Sequence, residues 1–93
     1  MIVSFGDGET EKVWNGERSR RLPFDIPAVV LRKLRLISAA AKVDDLRVPP
    51  GNRLERLKAD RAGQWSIRIN DQWRIAFRWT DGGAEDVAIV DYH

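Results

Sequence analysis

An α+β fold of order β-α-α-β-β-β-β is predicted over residues 1–93 as one domain, an antiparallel sheet with two N-terminal helices packed on one face. Three observations predict it. The hydrophobic repeat is about 3.6 residues in the first half of the chain and 2 in the second. Clusters of Gly, Asp, Asn and Pro separate the periodic stretches. A chain of 93 residues also leaves room for one core.

The elements follow in order. Ile2-Val3-Ser4-Phe5 reads as a short strand ending at the turn Gly6-Asp7-Gly8. Residues 9–17, with Val13 and Trp14 among charges, read as a short helix that Asn15-Gly16 closes through a left-handed cap. Arg18 to Pro23 is a connector, because Pro23 cannot continue a helix. Asp25 supplies a cap oxygen and Pro27 fits a first helical turn. Val30, Leu34, Ile37 and Ala41 then lie on one face of a helix over 27–42, with Arg32, Lys33 and Arg35 mostly on the other side.

Pro49-Pro50-Gly51 makes 44–52 a loop. Beyond it, Trp65, Ile67 and Ile69 alternate with polar residues, as do Trp73, Ile75, Phe77 and Trp79. Asn70-Asp71 suits a two-residue hairpin because both types tolerate positive φ. Asp81-Gly82-Gly83 is a second turn, and Val87 to Val90 the last strand. This register sends the tryptophans, Phe77 and the isoleucines under the helices. It sends Arg68, Arg74 and Arg78 to the opposite face, which antiparallel sheets commonly leave to solvent.

Composition narrows the chemistry. The chain has no cysteine, which excludes disulfides and thiolate metal sites, and its one histidine cannot build a zinc site alone. No phosphate loop or dinucleotide fingerprint is present, so neither a cofactor nor a metal is expected. No basic-then-apolar leader opens the sequence, so the expectation is a cytoplasmic protein without a membrane partner.

The formal charge of +2 conceals segregation: residues 18–80 carry +9, whereas 1–17 carry −3 and 81–93 carry −4. A basic middle suits a polyanion such as a nucleic acid, although a solvated, salt-laced surface reads the same way. Arg20 and Arg21 in the connector, and Arg32 and Lys33 on the second helix, are candidate RNA contacts with Arg68 and Arg78.

The end of the chain, Asp91-Tyr92-His93, carries the most suggestive chemistry. An imidazole titrates near neutrality, a phenol can donate a proton, and a carboxylate can orient either. Beside arginines, those groups suit RNA cleavage by internal transesterification. That reaction needs a base for the 2′-OH, an acid for the departing 5′-oxygen and cations for the charge gathering on phosphorus oxygens. The plainer reading is a frayed, functionless terminus.

Gln64-Trp65-Ser66-Ile67-Arg68-Ile69, Trp73-Arg74-Ile75-Ala76-Phe77 and the closing Val90-Asp91-Tyr92-His93 resemble the HigB-type toxins of the RelE/ParE toxin–antitoxin superfamily. Leu57 to Arg61 and Ile2 to Phe5 fit as well, so the resemblance spans nearly the whole chain. It implies a RelE-like fold and a toxin that cleaves mRNA in the ribosomal A site without a metal. It also implies a hetero-oligomer with a HigA-type helix-turn-helix antitoxin that represses its own operon.

By position the family's functional residues fall on Arg74, Asp91, Tyr92 and His93, with Lys58 as a further basic contributor. One departure stands out: many relatives have histidine where this chain has Glu55. A glutamate with an ordinary pKa near 4.3 is ionised at neutral pH, so it serves as base rather than acid. Strict alternation would put Glu55 and Lys58 on opposite faces of a strand unless a loop or bulge intervenes. Two other readings stay open: a ParE-like gyrase poison on the same fold, and a ribosome- or RNA-binding toxin with weak or no catalysis.

Overall fold

The computed structural model of the chain describes residues 1–23 and 25–91. Helices α1 (Gly8–Trp14) and α2 (Pro27–Ala39) precede four strands, β1 (Glu55–Arg56), β2 (Trp65–Arg68), β3 (Trp73–Thr80) and β4 (Gly83–Asp91). The strands form one antiparallel sheet in the order β1-β2-β3-β4. No helix among the described residues is long and apolar enough to cross a membrane.

Helix α1 starts where the Asp7 carboxylate accepts the Thr10 N–H at 2.7 Å, with Glu9 and Glu11 in its first turn. It ends at Trp14 rather than 17, because Gly16, at φ 80°, already turns the chain out of the helix. Helix α2 is capped by Ile26 rather than Asp25, with Pro27 as its first helical residue. It stops at Ala39 rather than 42. Ala40 is extended, and the Asp45 carboxylate takes the N–H groups of Ala41 and Lys42 at 2.9 and 3.2 Å, drawing them into the next turn. The predicted loop at 44–52 contains two short 3₁₀ turns, Val43–Arg47 and Pro50–Asn52.

The β2–β3 connection is longer than the two-residue hairpin predicted. Its last regular pair is Arg68 with Arg74, and both Ile69 N–H and Asn70 N–H donate to the Trp73 carbonyl, at 2.9 and 3.2 Å. Asn70 acts through its side chain, not through positive φ: its Oδ1 accepts from the N–H of Gln72 and of Trp73 at 2.9 and 2.8 Å. The Asp81-Gly82 turn closes β3 on β4, which starts at Gly83, four residues earlier than expected. One extra residue on β4 makes a bulge, with Asp86 at φ 54°.

The N-terminal run contributes parallel rather than antiparallel contacts, as bridges from Ile2 to Ala84 and from Phe5 to Val87. Gly6 then crosses so close to β4 that a Cβ there would lie 2.9 Å from the Asp86 carbonyl oxygen. Farther along this edge, Ile89 gives its N–H to Thr10 Oγ1 at 3.0 Å, and its carbonyl accepts from Arg21 Nη2 at 2.9 Å. Side chains thus satisfy a strand edge that would otherwise invite pairing with another chain.

Val13, Val30, Leu34 and Ile37 from the helices pack on Ile67, Ile75, Phe77, Val87 and Ile89 of the sheet. Trp73 is inside this core, while Trp14, Trp65 and Trp79 lie partly buried around it. The opposite face is not the wet surface that alternation suggested. Leu57, Ser66, Arg74 and Ala76 are all buried, yet Leu57 and Ala76 stand apart from the main core. From the β1 edge of the sheet, the Arg53 carbonyl and the Glu55 carboxylate reach Arg74 on this face, contacts between residues distant in the chain that alternation does not reveal.

Candidate active site

Arg74 is the hub. It projects from β3 on the face away from the helices and is only 8% exposed. Its Nε donates to Ser66 Oγ at 2.7 Å, and its Nη2 donates to the Arg53 carbonyl at 2.7 Å. The Glu55 carboxylate lies 3.6 Å from the same Nη2. Each partner has a local origin. Ser66 and Arg74 sit on the same face of neighbouring strands, two residues out of register, and Glu55 pairs opposite Ser66. Arg53, at φ 45°, ends the Pro50–Asn52 turn in a left-handed conformation.

That turn has its own anchor. Asn52 is fully buried and donates through Nδ2 to the carbonyls of Leu46 and Val48, at 3.1 and 3.3 Å. Its Oδ1 accepts from Lys33 Nζ on α2. Burial lowers the Lys33 pKa, and the positive charges of Arg32 and Arg68 lower it further.

Strict alternation would part Glu55 and Lys58, but the strand does not run on as far as Lys58. Strand β1 ends after Arg56, and Lys58 leads into the Ala59–Arg61 turn. Both residues, with Arg61, line a cleft of about 320 Å³. The alternation that would separate the two residues therefore stops short of Lys58.

Asp91 ends β4 opposite Trp73, on the sheet face of Trp73 and Ile89 rather than that of Arg74, whose partner is Val90; it accepts from Gln72 Nε2 at 3.2 Å. It lines a larger cleft of about 780 Å³, together with Arg21, Arg61, Gln64 and Arg78. Tyr92 and His93 lie outside the described residues.

The other predicted RNA contacts are scattered. Arg78 is exposed beside Asp86 at 3.5 Å, and Arg68 pairs with Asp71 at 2.5 Å. Arg21 is committed to the β4 edge and lies 3.4 Å from Asp7. Lys33 supports the 46–53 loop from α2, whereas Arg20 and Arg32 are exposed without an ion pair among the described residues. No group of three or more carboxylate or imidazole side chains among the described residues converges on a metal position.

Sequence reasoning missed Arg53, Ser66 and Arg61. Ser66 carried a usable signal, since it shares a face with Arg68 within two residues. Arg53 carried none, because its carbonyl reaches Arg74 across 21 residues of chain.

Comparison with known proteins adds ancestry to this geometry. The family model for RelE-like toxins of the HigB type II toxin–antitoxin system matches residues 3–93. Toxin HigB-1 of Vibrio cholerae serotype O1 is 41% identical over 85 residues, 90% of either chain. Endoribonuclease HigB of Proteus vulgaris is 36% identical over 61 residues, 66% of this chain and 65% of its own. Among solved structures, a chain of the YoeB–YefM complex from Staphylococcus aureus superposes with a TM-score of 0.62, over 100% of this chain and 95% of that one. At 19% identity that likeness speaks to the fold.

Proposed function

The chain belongs to the HigB-like family, the RelE-like toxins of type II toxin–antitoxin systems, and from this membership we propose that it is an endoribonuclease that cuts mRNA on the ribosome. The observation that supports the chemistry is the Glu55–Arg74 pair, 3.6 Å apart, with Glu55 also lining the cleft that Lys58 lines. Membership also implies an antitoxin partner, proposed as a HigA-type helix-turn-helix protein, and both would act in the cytoplasm.

In the proposed step the Glu55 carboxylate takes the proton of a ribose 2′-OH. The resulting oxygen attacks the adjacent phosphorus and forms a 2′,3′-cyclic phosphate, while the bond to the 5′-oxygen breaks. His93 or Tyr92 gives that oxygen its proton, and Asp91 orients the donor. Arg74 and Lys58 hold the negative charge that builds on the non-bridging oxygens. Arg74 is suited to this because its hydrogen bonds to Ser66 and Arg53 hold its plane before substrate arrives. Arg68, Arg78, Arg20, Arg21, Arg32 and Lys33 would contribute RNA contacts or a positive field around the site.

The same ion pair favours a second reading, in which Glu55 only neutralises Arg74 and restrains a weak nuclease. Primer extension on a reporter mRNA translated with purified toxin separates the two. Loss of a positioned base lowers the rate about 10²–10⁴-fold. Glu55→Gln should therefore nearly abolish cutting while Glu55→His keeps it; a more active Glu55→Gln protein selects the second reading. Deletion of His93 and Tyr92→Ala should each abolish cutting while antitoxin binding persists. Intact mRNA with wild-type toxin, alongside gyrase-linked DNA breaks, would overturn the nuclease reading.

A further inference from the structure

Beyond Arg74, on the side away from Lys58, a second cleft of about 460 Å³ is lined by Gly51, Arg53, Arg68, Asn70, Asp71 and Arg74. Resting on the reading of this chain as a toxin that acts on RNA, we propose that this cleft is a second phosphate subsite, in which Arg53 and Arg68 hold a phosphodiester flanking the reacting one. Arg74 is the bridge between the two positions. It lines this cleft and contacts Glu55, which lines the cleft of Lys58.

Three features fit a phosphate. The Arg53 guanidinium has no ion pair among the described residues, and the turn that carries it is tied down by buried Asn52. Arg68 is paired, but with an Asp71 side chain that is fully exposed. A solvent-screened pair of that kind contributes little and yields readily to the planar, two-oxygen match between guanidinium and phosphate. Lys33, whose ammonium is bonded to Asn52 in the turn that precedes Arg53, adds positive charge beside the cleft, an excess that a polyanion relieves.

The roles of the two acids differ. Glu55 faces the reacting centre, whereas Asp71 occupies an arginine of the subsite until RNA displaces it. Removing the Asp71 charge should therefore tighten RNA binding, while removing either arginine should weaken it.

The test measures binding of the full-length toxin across a series of salt concentrations. One probe is a short single-stranded oligonucleotide, 2′-O-methylated so that it cannot be cut, and the other is empty bacterial ribosomes. Arg53→Asn, which keeps a residue type tolerant of the left-handed backbone, and Arg68→Gln should each weaken binding about tenfold. Each should also reduce the salt slope by about 0.7.

Asp71→Asn should strengthen binding, and Arg47→Gln, which removes an exposed charge outside the cleft, should leave the slope unchanged. Losses with the oligonucleotide assign the subsite to the messenger strand, and losses with ribosomes alone assign it to ribosomal RNA; both support the subsite. Unchanged slopes for Arg53→Asn and Arg68→Gln with both probes, weaker binding by Asp71→Asn, or no binding by the wild type to either probe would overturn it. Thermal melts of each variant establish that it is folded. Absence of mRNA cutting by the wild type would sink the nuclease reading alone, since the slopes are read without cleavage.

Discussion

Replacing Arg74 by alanine removes the proposed catalytic cation and a structural member together. The side chain is 10% exposed, so solvent replaces few of its contacts. Its two short hydrogen bonds, to Ser66 Oγ and to the Arg53 carbonyl, are both 2.7 Å, and bonds from a charged donor contribute about 1.5–3 kcal/mol each. Truncation also strands a buried hydroxyl and a carbonyl. Breaking a buried charged network of this size costs about 3–5 kcal/mol. The half-exposed Glu55 adds little, because solvent screens it.

We therefore expect a loss of about 3–4 kcal/mol, a large part of the roughly 5–14 kcal/mol total stability of a chain this size. At about 4–8 °C per kcal/mol the melting temperature should fall by about 12–30 °C. Ser66→Ala, which keeps the guanidinium, should lose about 1–3 kcal/mol. Calorimetry of the purified proteins measures both. An Arg74→Ala protein that melts within about 3 °C of wild type, less than the shift for a single kcal/mol, would refute the buried-hub assignment and return Arg74 to a solvated surface. The consequence reaches the activity assay: loss of toxicity in cells by Arg74→Ala demonstrates catalysis only where the folded fraction has been measured.

Two further outcomes test the support around the site. Asn52→Ala should cost about 2–3 kcal/mol, because two carbonyls and an ammonium lose a buried partner. It should also lower cleavage by freeing the Arg53 carbonyl, and an unchanged urea midpoint would refute the anchor. For Lys33, whose pKa burial holds below its ordinary 10.5, the unfolded chain binds the extra proton between the folded and unfolded values. Stability should thus rise with pH through that alkaline window relative to Lys33→Met; a difference between the two proteins that stays flat up to about pH 11 would contradict the partly buried ammonium.

Much of the fold is local and was legible in the residues. Alternation in Trp65–Ile69 and Trp73–Trp79 assigned the core face of the sheet, and the repeat of Val30, Leu34 and Ile37 assigned that of α2, because side-chain periodicity follows directly from backbone geometry. Kinship was legible too, in the Trp-Ser-Ile, Trp-Arg-Ile and Asp-Tyr-His runs. The candidate site was legible only as a set of residue types. That Arg74 is buried, that Glu55 and Lys58 share a cleft, that Arg53 holds Arg74 and that Lys33 supports a loop all depend on where segment 43–61 returns to the sheet. Such a return is set by packing between residues distant in the chain, and a pattern of neighbours carries no record of it.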